Sequence, residues 1–249
     1  MINDAERWAR GLLVLMLKHR LAILCLAAAF TLIAAPASAR DRDAEDCANV
    51  RSELAPDQQV GACNRYLRGF GVSRHNRAQA FKSRGNAYRE MRQFDLALAD
   101  YDEAIRLQPN HANIYNNRAI ALRMAGEPGR AIQDFTTAIE IDPDFAPAYS
   151  NRGSVHAELN NFEAAVADHT RAIALDPNLA SAFNGRGLAY RALGQTDQAV
   201  ADFNQAIRLN RRYVEAFRNR ARVLSEMGQV DLARSDDDEA DRLVAANGR

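Results

Sequence analysis

The sequence predicts an all-α solenoid of antiparallel helix hairpins stacked one behind the next. Three observations carry that prediction: a 34-residue period without insertions, small and aromatic residues at fixed places within it, and prolines that close the first three units. The five windows are 78–111, 112–145, 146–179, 180–213 and 214–247. A unit of that length cannot bury its apolar face alone, so tandem units bury it against each other.

Within each window, positions 4, 8 and 11 fall on one face of a first helix and positions 20, 24 and 27 on one face of a second. Position 4 is Phe81, Tyr115, Tyr149, Phe183 and Phe217; position 11 is Tyr88, Leu122, His156, Tyr190 and Leu224. Position 8 is always small (Gly85, Ala119, Gly153, Gly187, Ala221), and so are position 20 (Ala97, Ala131, Ala165, Ala199, Ala233) and position 27 (Ala104, Ala138, Ala172, Ala206, Ala240). Small side chains let the two backbones approach, while the aromatics at position 4 and at position 24 (Tyr101, Phe135, Phe203) fill the gaps between hairpins. Pro109, Pro143 and Pro177 stand at position 32, where proline cannot continue the second helix.

Residues 1–39 have the three-part layout of a secretory signal: Lys18, His19 and Arg20, an apolar run over 21–34, then Ala37, Ser38 and Ala39. The run is shorter than the ~20 residues a membrane-spanning helix needs, so cleavage after Ala39 is expected, with a retained membrane anchor as the alternative. Met16 offers a second start that leaves a conventional leader, and Cys25 departs with the signal.

Residues 40–77 are expected to form an N-terminal capping helical hairpin. Ala62 and Tyr66 resemble positions 20 and 24, one residue out of register with the units that follow. Cys47 and Cys63 flank Pro56, and an even pair of cysteines in an exported chain predicts a disulfide. A ring of this size contributes ~3 kcal/mol in the loop-entropy model. At the far end Asp236, Asp237, Asp238, Glu239 and Asp241 make a polar terminal face, as a soluble solenoid requires.

Charge narrows the function. The chain has 32 basic and 32 acidic side chains, a balance that argues against a nucleic-acid partner, which would call for a cationic surplus. Removing the leader takes four cations (Arg7, Arg10, Lys18, Arg20) and two acids (Asp4, Glu6), so the remainder stays near neutral. Arg recurs at position 7 (Arg84, Arg118, Arg152, Arg186, Arg220) and Asp at position 23 (Asp100, Asp134, Asp168, Asp202, Asp236), and these are expected to pair across each hairpin. His156 and His169 occupy positions 11 and 24 of the third unit, where they read as core residues; no third metal ligand stands at helical spacing. No nucleophile elbow, zinc helix, Walker loop or dinucleotide fingerprint occurs. The expectation is therefore no enzyme, no cofactor, no metal and no small-molecule substrate.

At these residues the sequence resembles the tetratricopeptide repeat family, in a bacterial exported type with an Asn-Arg-Gly variant: Asn151-Arg152-Gly153, and beside it Asn117-Arg118-Ala119. The resemblance implies a right-handed superhelix, first helices on the concave face, and a protein or peptide partner. Its first-helix positions 2, 5, 6, 9 and 12 face ligands, and here they supply Lys82, Asn86, Arg89, Asn116, Asn117, Arg123, Asn151, Asn184, Arg191, Arg218 and Arg222. Asn offers donor and acceptor to an extended backbone, and the cations suit carboxylates. The family's carboxylate clamp is matched at Lys82, Asn86 and Asn117 but not at Pro147 and Asn151, so acidic side chains along an extended ligand fit better than a terminal carboxylate. The expected function is a non-catalytic binding scaffold or adaptor of the cell envelope, periplasmic or secreted. The alternative is an assembly factor anchored in the inner membrane, which contacts the membrane only if residues 1–39 are retained.

Overall fold

A computed structural model describes residues 41–50 and 53–247; the expected signal at 1–39 lies outside them. The described residues form helices and no strand. A first helical segment, α1, covers 41–48, and α2 (Pro56–Arg68) follows. The repeats supply α3 (Arg74–Glu90), α4 (Phe94–Leu107), α5 (Ala112–Met124), α6 (Pro128–Ile141), α7 (Ala146–Glu158), α8 (Phe162–Leu175), α9 (Ala180–Ala192), α10 (Thr196–Leu209), α11 (Val214–Glu226) and α12 (Val230–Asn247). From α3 onward each odd helix packs on the even helix after it, and from α2 onward each even helix packs on the next odd one, which makes a solenoid.

The hairpins turn by one device. Position 15 has positive φ in every unit: Arg92 (59°), Gly126 (84°), Asn160 (61°), Gly194 (74°) and Gly228 (76°). The next amide then reaches back to the carbonyl of position 11, as in Gln93 N to Tyr88 O at 2.9 Å and Gln229 N to Leu224 O at 2.8 Å. That is the six-to-one bond of a Schellman cap, which satisfies a carbonyl the helix end would leave open. α4, α6, α8 and α10 stop at position 30 whether or not proline follows, while α12, with no unit described after it, runs on to Asn247. α10 ends at Leu209 although Arg211 stands at position 32, so tertiary packing, not proline alone, fixes that boundary.

Inside each hairpin the small residues are buried, and in the first four the position-24 ring is sealed against them. Tyr101, Phe135, His169 and Phe203 are fully buried. A Cβ on Gly187 would lie 2.8 Å from the Phe203 ring, which states why position 8 stays small. The position-4 aromatics are half-buried, and the position-7 guanidinium covers part of each. Arg84, Arg118, Arg152, Arg186 and Arg220 stack over Phe81, Tyr115, Tyr149, Phe183 and Phe217 at 5.4–5.8 Å.

The same guanidiniums make the expected pairs. Each binds its Asp in two-pronged fashion, as in Arg152 Nε to Asp168 Oδ2 at 2.9 Å and Nη2 to Oδ1 at 2.8 Å. The remaining nitrogen reaches the preceding hairpin: Arg118 to Asp102, Arg152 to Thr136, Arg186 to Thr170 and Arg220 to Asn204. One side chain thus fixes the register within a hairpin and between two of them.

At the N-terminal end Cys47 and Cys63 are joined by a disulfide, both buried, and they pack with Tyr66, Leu67 and Ala80. The Gln59 side-chain amide donates to Cys47 O at 2.8 Å. α3 begins one turn ahead of the repeat register, at Arg74, where the Ser73 side chain caps it by accepting from Asn76 N at 3.1 Å. At the other end Asp236 is buried on Arg220, while Asp237, Asp238 and Asp241 are exposed.

Candidate peptide-binding face

The helix contacts identify the inner side of the solenoid. α3, α5, α7, α9 and α11 touch one another in succession, whereas no even helix touches the next even one among the described residues. An array that is tight along its first helices and open along its second is curved with the first helices inside. The candidate residues, all on first helices, lie on that wall.

Two sets of side chains link neighbouring first helices, each spanning 35 residues. Asn151 Nδ2 donates to Asn116 Oδ1 at 2.9 Å, and Asn219 Nδ2 to Asn184 Oδ1 at 3.0 Å. Arg123 grips Glu158, with Nε 2.9 and 3.0 Å from its oxygens, and Arg191 grips Glu226 at 3.1 Å. The Arg191 hydrogen bond holds the Glu226 carboxyl below its ordinary range.

These links fall at alternate interfaces. The second and third hairpins have both, and so do the fourth and fifth. Between the first and second hairpins the corresponding pairs are Lys82 with Asn117 and Arg89 with Met124; between the third and fourth they are Ser150 with Gly185 and Ala157 with Ala192. Neither of those interfaces can form the amide bridge or the ion pair.

The expected ligand-facing residues therefore divide. Asn116, Asn151, Asn184, Arg123 and Arg191 are engaged within the wall, and Asn116 and Asn184 are buried. Asn86 accepts from the Tyr101 hydroxyl at 2.7 Å, and Asn117 donates to Asn113 Oδ1 at 3.4 Å. Arg218 meets Asp241 at 3.3 Å, with both side chains exposed. Lys82, Arg89 and Arg222 form no ion pair among the described residues. Lys82 is half-buried, and loss of solvent lowers its pKa. Burial, and then the charge of Lys82, lower that of the neighbouring His111. Sequence reasoning within one unit could not separate these classes, because each link joins position 5 to position 6, or 12 to 13, of the next unit.

No described helix is long and apolar enough to cross a membrane, and no group of three His, Cys, Asp or Glu among the described residues could hold a metal.

Tetratricopeptide repeat models match residues 83–146 and 146–179, and a third TPR repeat model matches residues 187–228. A search of curated proteins found no match. Solved structures do match. PilF of Pseudomonas aeruginosa is 22% identical, with a TM-score of 0.64 over 68% of this chain and 77% of that one. A tetratricopeptide repeat protein from Parabacteroides merdae is 20% identical, with a TM-score of 0.64 over 80% of this chain and 77% of its own. YrrB, described as a TPR protein with an unusual peptide-binding site, is 19% identical, with a TM-score of 0.54 over 74% and 93%. At these identities the likeness establishes the solenoid fold.

Proposed function

From a chain built of tandem tetratricopeptide repeats, we propose a non-catalytic scaffold that holds an extended acidic segment of a partner protein against its inner wall. The observation that carries this reading is the interface of the first two hairpins. There the wall's own Asn and Arg–Glu links are missing, and Lys82 and Arg89 lie on one helix face without carboxylate partners among the described residues. A half-desolvated ammonium gains most from a carboxylate brought by a ligand, because part of the hydration penalty is already incurred. Arg222, exposed on α11, extends the same preference toward the other end. The peptide site named for YrrB fits a solenoid wall used in this way.

The compartment proposed is the cell envelope, with residues 1–39 as an export signal and 40–77 as a disulfide-stapled cap to the repeats at 78–247. The buried Cys47–Cys63 bond supports it, since such bonds persist where the surroundings are oxidising. N-terminal sequencing of the exported protein decides between cleavage, with a start at Arg40, and a retained anchor.

Groove binding is tested with a display library of random dodecapeptides. The native protein should retain clones rich in Asp and Glu, and Lys82→Ala with Arg89→Ala should abolish that enrichment and its salt dependence without lowering the melting temperature. Retained clones with no acidic bias would refute the reading.

A further inference from the structure

The interface between the third and fourth hairpins departs from the repeat in three coupled places. Where its neighbours place an Asn bridge it has Ser150 and Gly185, and where they place Phe it has His169. The three departures meet. A Cβ on Gly185 would stand 2.4 Å from His169 Cε1 and 2.5 Å from Nε2, so the imidazole occupies space that an Asn at position 6 would take. Beside it opens a cavity of about 420 Å³ on the inner wall, with His169, Ser150, Ser181, Asn151 and Asn184 among its lining residues.

His169 is fully buried, and neither ring nitrogen has a hydrogen-bond partner among the described residues. A buried polar group left this way is destabilising, because it has given up its water without gaining a partner. Phenylalanine, used at the same position in the second and fourth units, would avoid that penalty. The other lining amides also keep capacity. Asn151 spends its NH₂ on Asn116 and retains its carbonyl oxygen. Asn184 accepts from Asn219 and keeps its amide protons to give. The cavity's charged residues, Arg123 and Glu158, neutralise each other, and Phe162 and Leu188 supply apolar wall. Burial holds His169 uncharged at neutral pH, with its pKa pushed down to about 4.

We infer that this cavity receives the carboxamide side chain of an Asn or Gln in the extended peptide bound along the inner wall. A carboxamide donates and accepts from one planar end without bringing charge, which matches an uncharged lining that offers both functions. An Asp, Glu, Lys or Arg would bury a charge opposite an ion pair that is already satisfied. This assignment rests on the groove-binding reading. Successive inner helices lie ~10 Å apart, so two hairpins separate this cavity from the Lys82–Arg89 pair by ~20 Å, or about six residues of extended chain.

The same random dodecapeptide library tests it. Clones retained by the native protein should carry Asn or Gln at a fixed spacing of about six residues from their acidic cluster. The triple variant Ser150→Asn, His169→Phe, Gly185→Asn rebuilds the arrangement already present at the adjacent interfaces, so it should fold and melt no lower than the native protein. It should keep the acidic bias and lose the Asn/Gln bias, and synthetic retained peptides should bind it ~10-fold more weakly. His169→Phe alone keeps the cavity and should weaken binding less. An Asn/Gln bias that survives in the triple variant, or charged or apolar residues selected at that spacing, overturns the assignment while groove binding stands. A native protein that retains no clone overturns both.

Discussion

Replacing His169 by Phe should raise stability at neutral pH and remove part of its loss in acid. Burial is the main force that pushes the His169 pKa from 6.5 to about 4, with Asp168 pulling it up and Arg186 pushing it down. A folded-state pKa below the unfolded one means that the unfolded chain binds the proton more readily. The contribution is therefore fully present above pH 6.5 and drains away as pH falls toward 4. Every tenfold difference in proton affinity between the two states is worth about 1.4 kcal/mol, so the whole effect is about 3 kcal/mol, of which about 2 kcal/mol is lost by pH 5. Comparing native and variant at each pH cancels what every other group contributes, which makes the difference between them the informative quantity. The Phe variant has a precedent in Phe135 and Phe203, both fully buried in equivalent positions. Urea unfolding of both proteins between pH 7.5 and 5 should give stabilities that diverge in acid: the native chain falls by about 2 kcal/mol relative to the variant. Parallel curves over that range would refute the argument, because they would mean that His169 takes up its proton in the folded state as easily as in the unfolded one.

Four further outcomes are expected. Intact-mass analysis of the oxidised protein should find Cys47 and Cys63 without free thiols, and Cys63→Ser should cost about 3 kcal/mol at the N-terminal end. Asp134→Asn strips one guanidinium of its main partner while Arg118 stays mostly buried, and should lower stability by about 3 kcal/mol in urea melts, whereas an exposed pair such as Arg106–Glu103 should be near neutral on mutation. Arg92→Gly should gain about 0.5–1 kcal/mol in thermal unfolding, since Arg92 holds a left-handed backbone with φ of 59° that glycine adopts freely. Glu158→Gln breaks a partly exposed pair worth under about 1 kcal/mol, yet it frees Arg123 for ligands, so acidic-peptide capture should strengthen while the melting temperature barely moves.

What the sequence displayed was the part of the design that repeats. Ala97, Ala131, Ala165 and Ala199 announce a close helix pair because one residue type returns at one place, and the Arg at position 7 and Asp at position 23 announce each other for the same reason. The Arg–aromatic stacks were equally present at spacing three, as Phe81 and Arg84 or Tyr149 and Arg152, but only the structure brings the guanidinium over the ring. The left-handed turn at position 15 was hidden because Arg92 and Asn160 share it with three glycines, so the backbone demand exceeds what residue identity reveals.

The candidate site was less legible because the features on which the proposed binding rests are exceptions to the period. Counting from one unit to the same place in the next groups Arg89, Arg123 and Arg191 as one class of groove cation. Counting to the adjacent place in the next unit separates them: Arg123 and Arg191 meet Glu158 and Glu226, whereas Arg89 meets Met124. Two interfaces carry both links and two lack them, and the two that lack them differ in chemistry, cationic at Lys82 and uncharged beside the buried His169. A uniform stack would offer an extended ligand the same contacts at every step and fix no alignment along the groove. Under the proposed reading, alternation of closed and open interfaces supplies one alignment, because only one placement sets an acidic residue at the first opening and a carboxamide at the second.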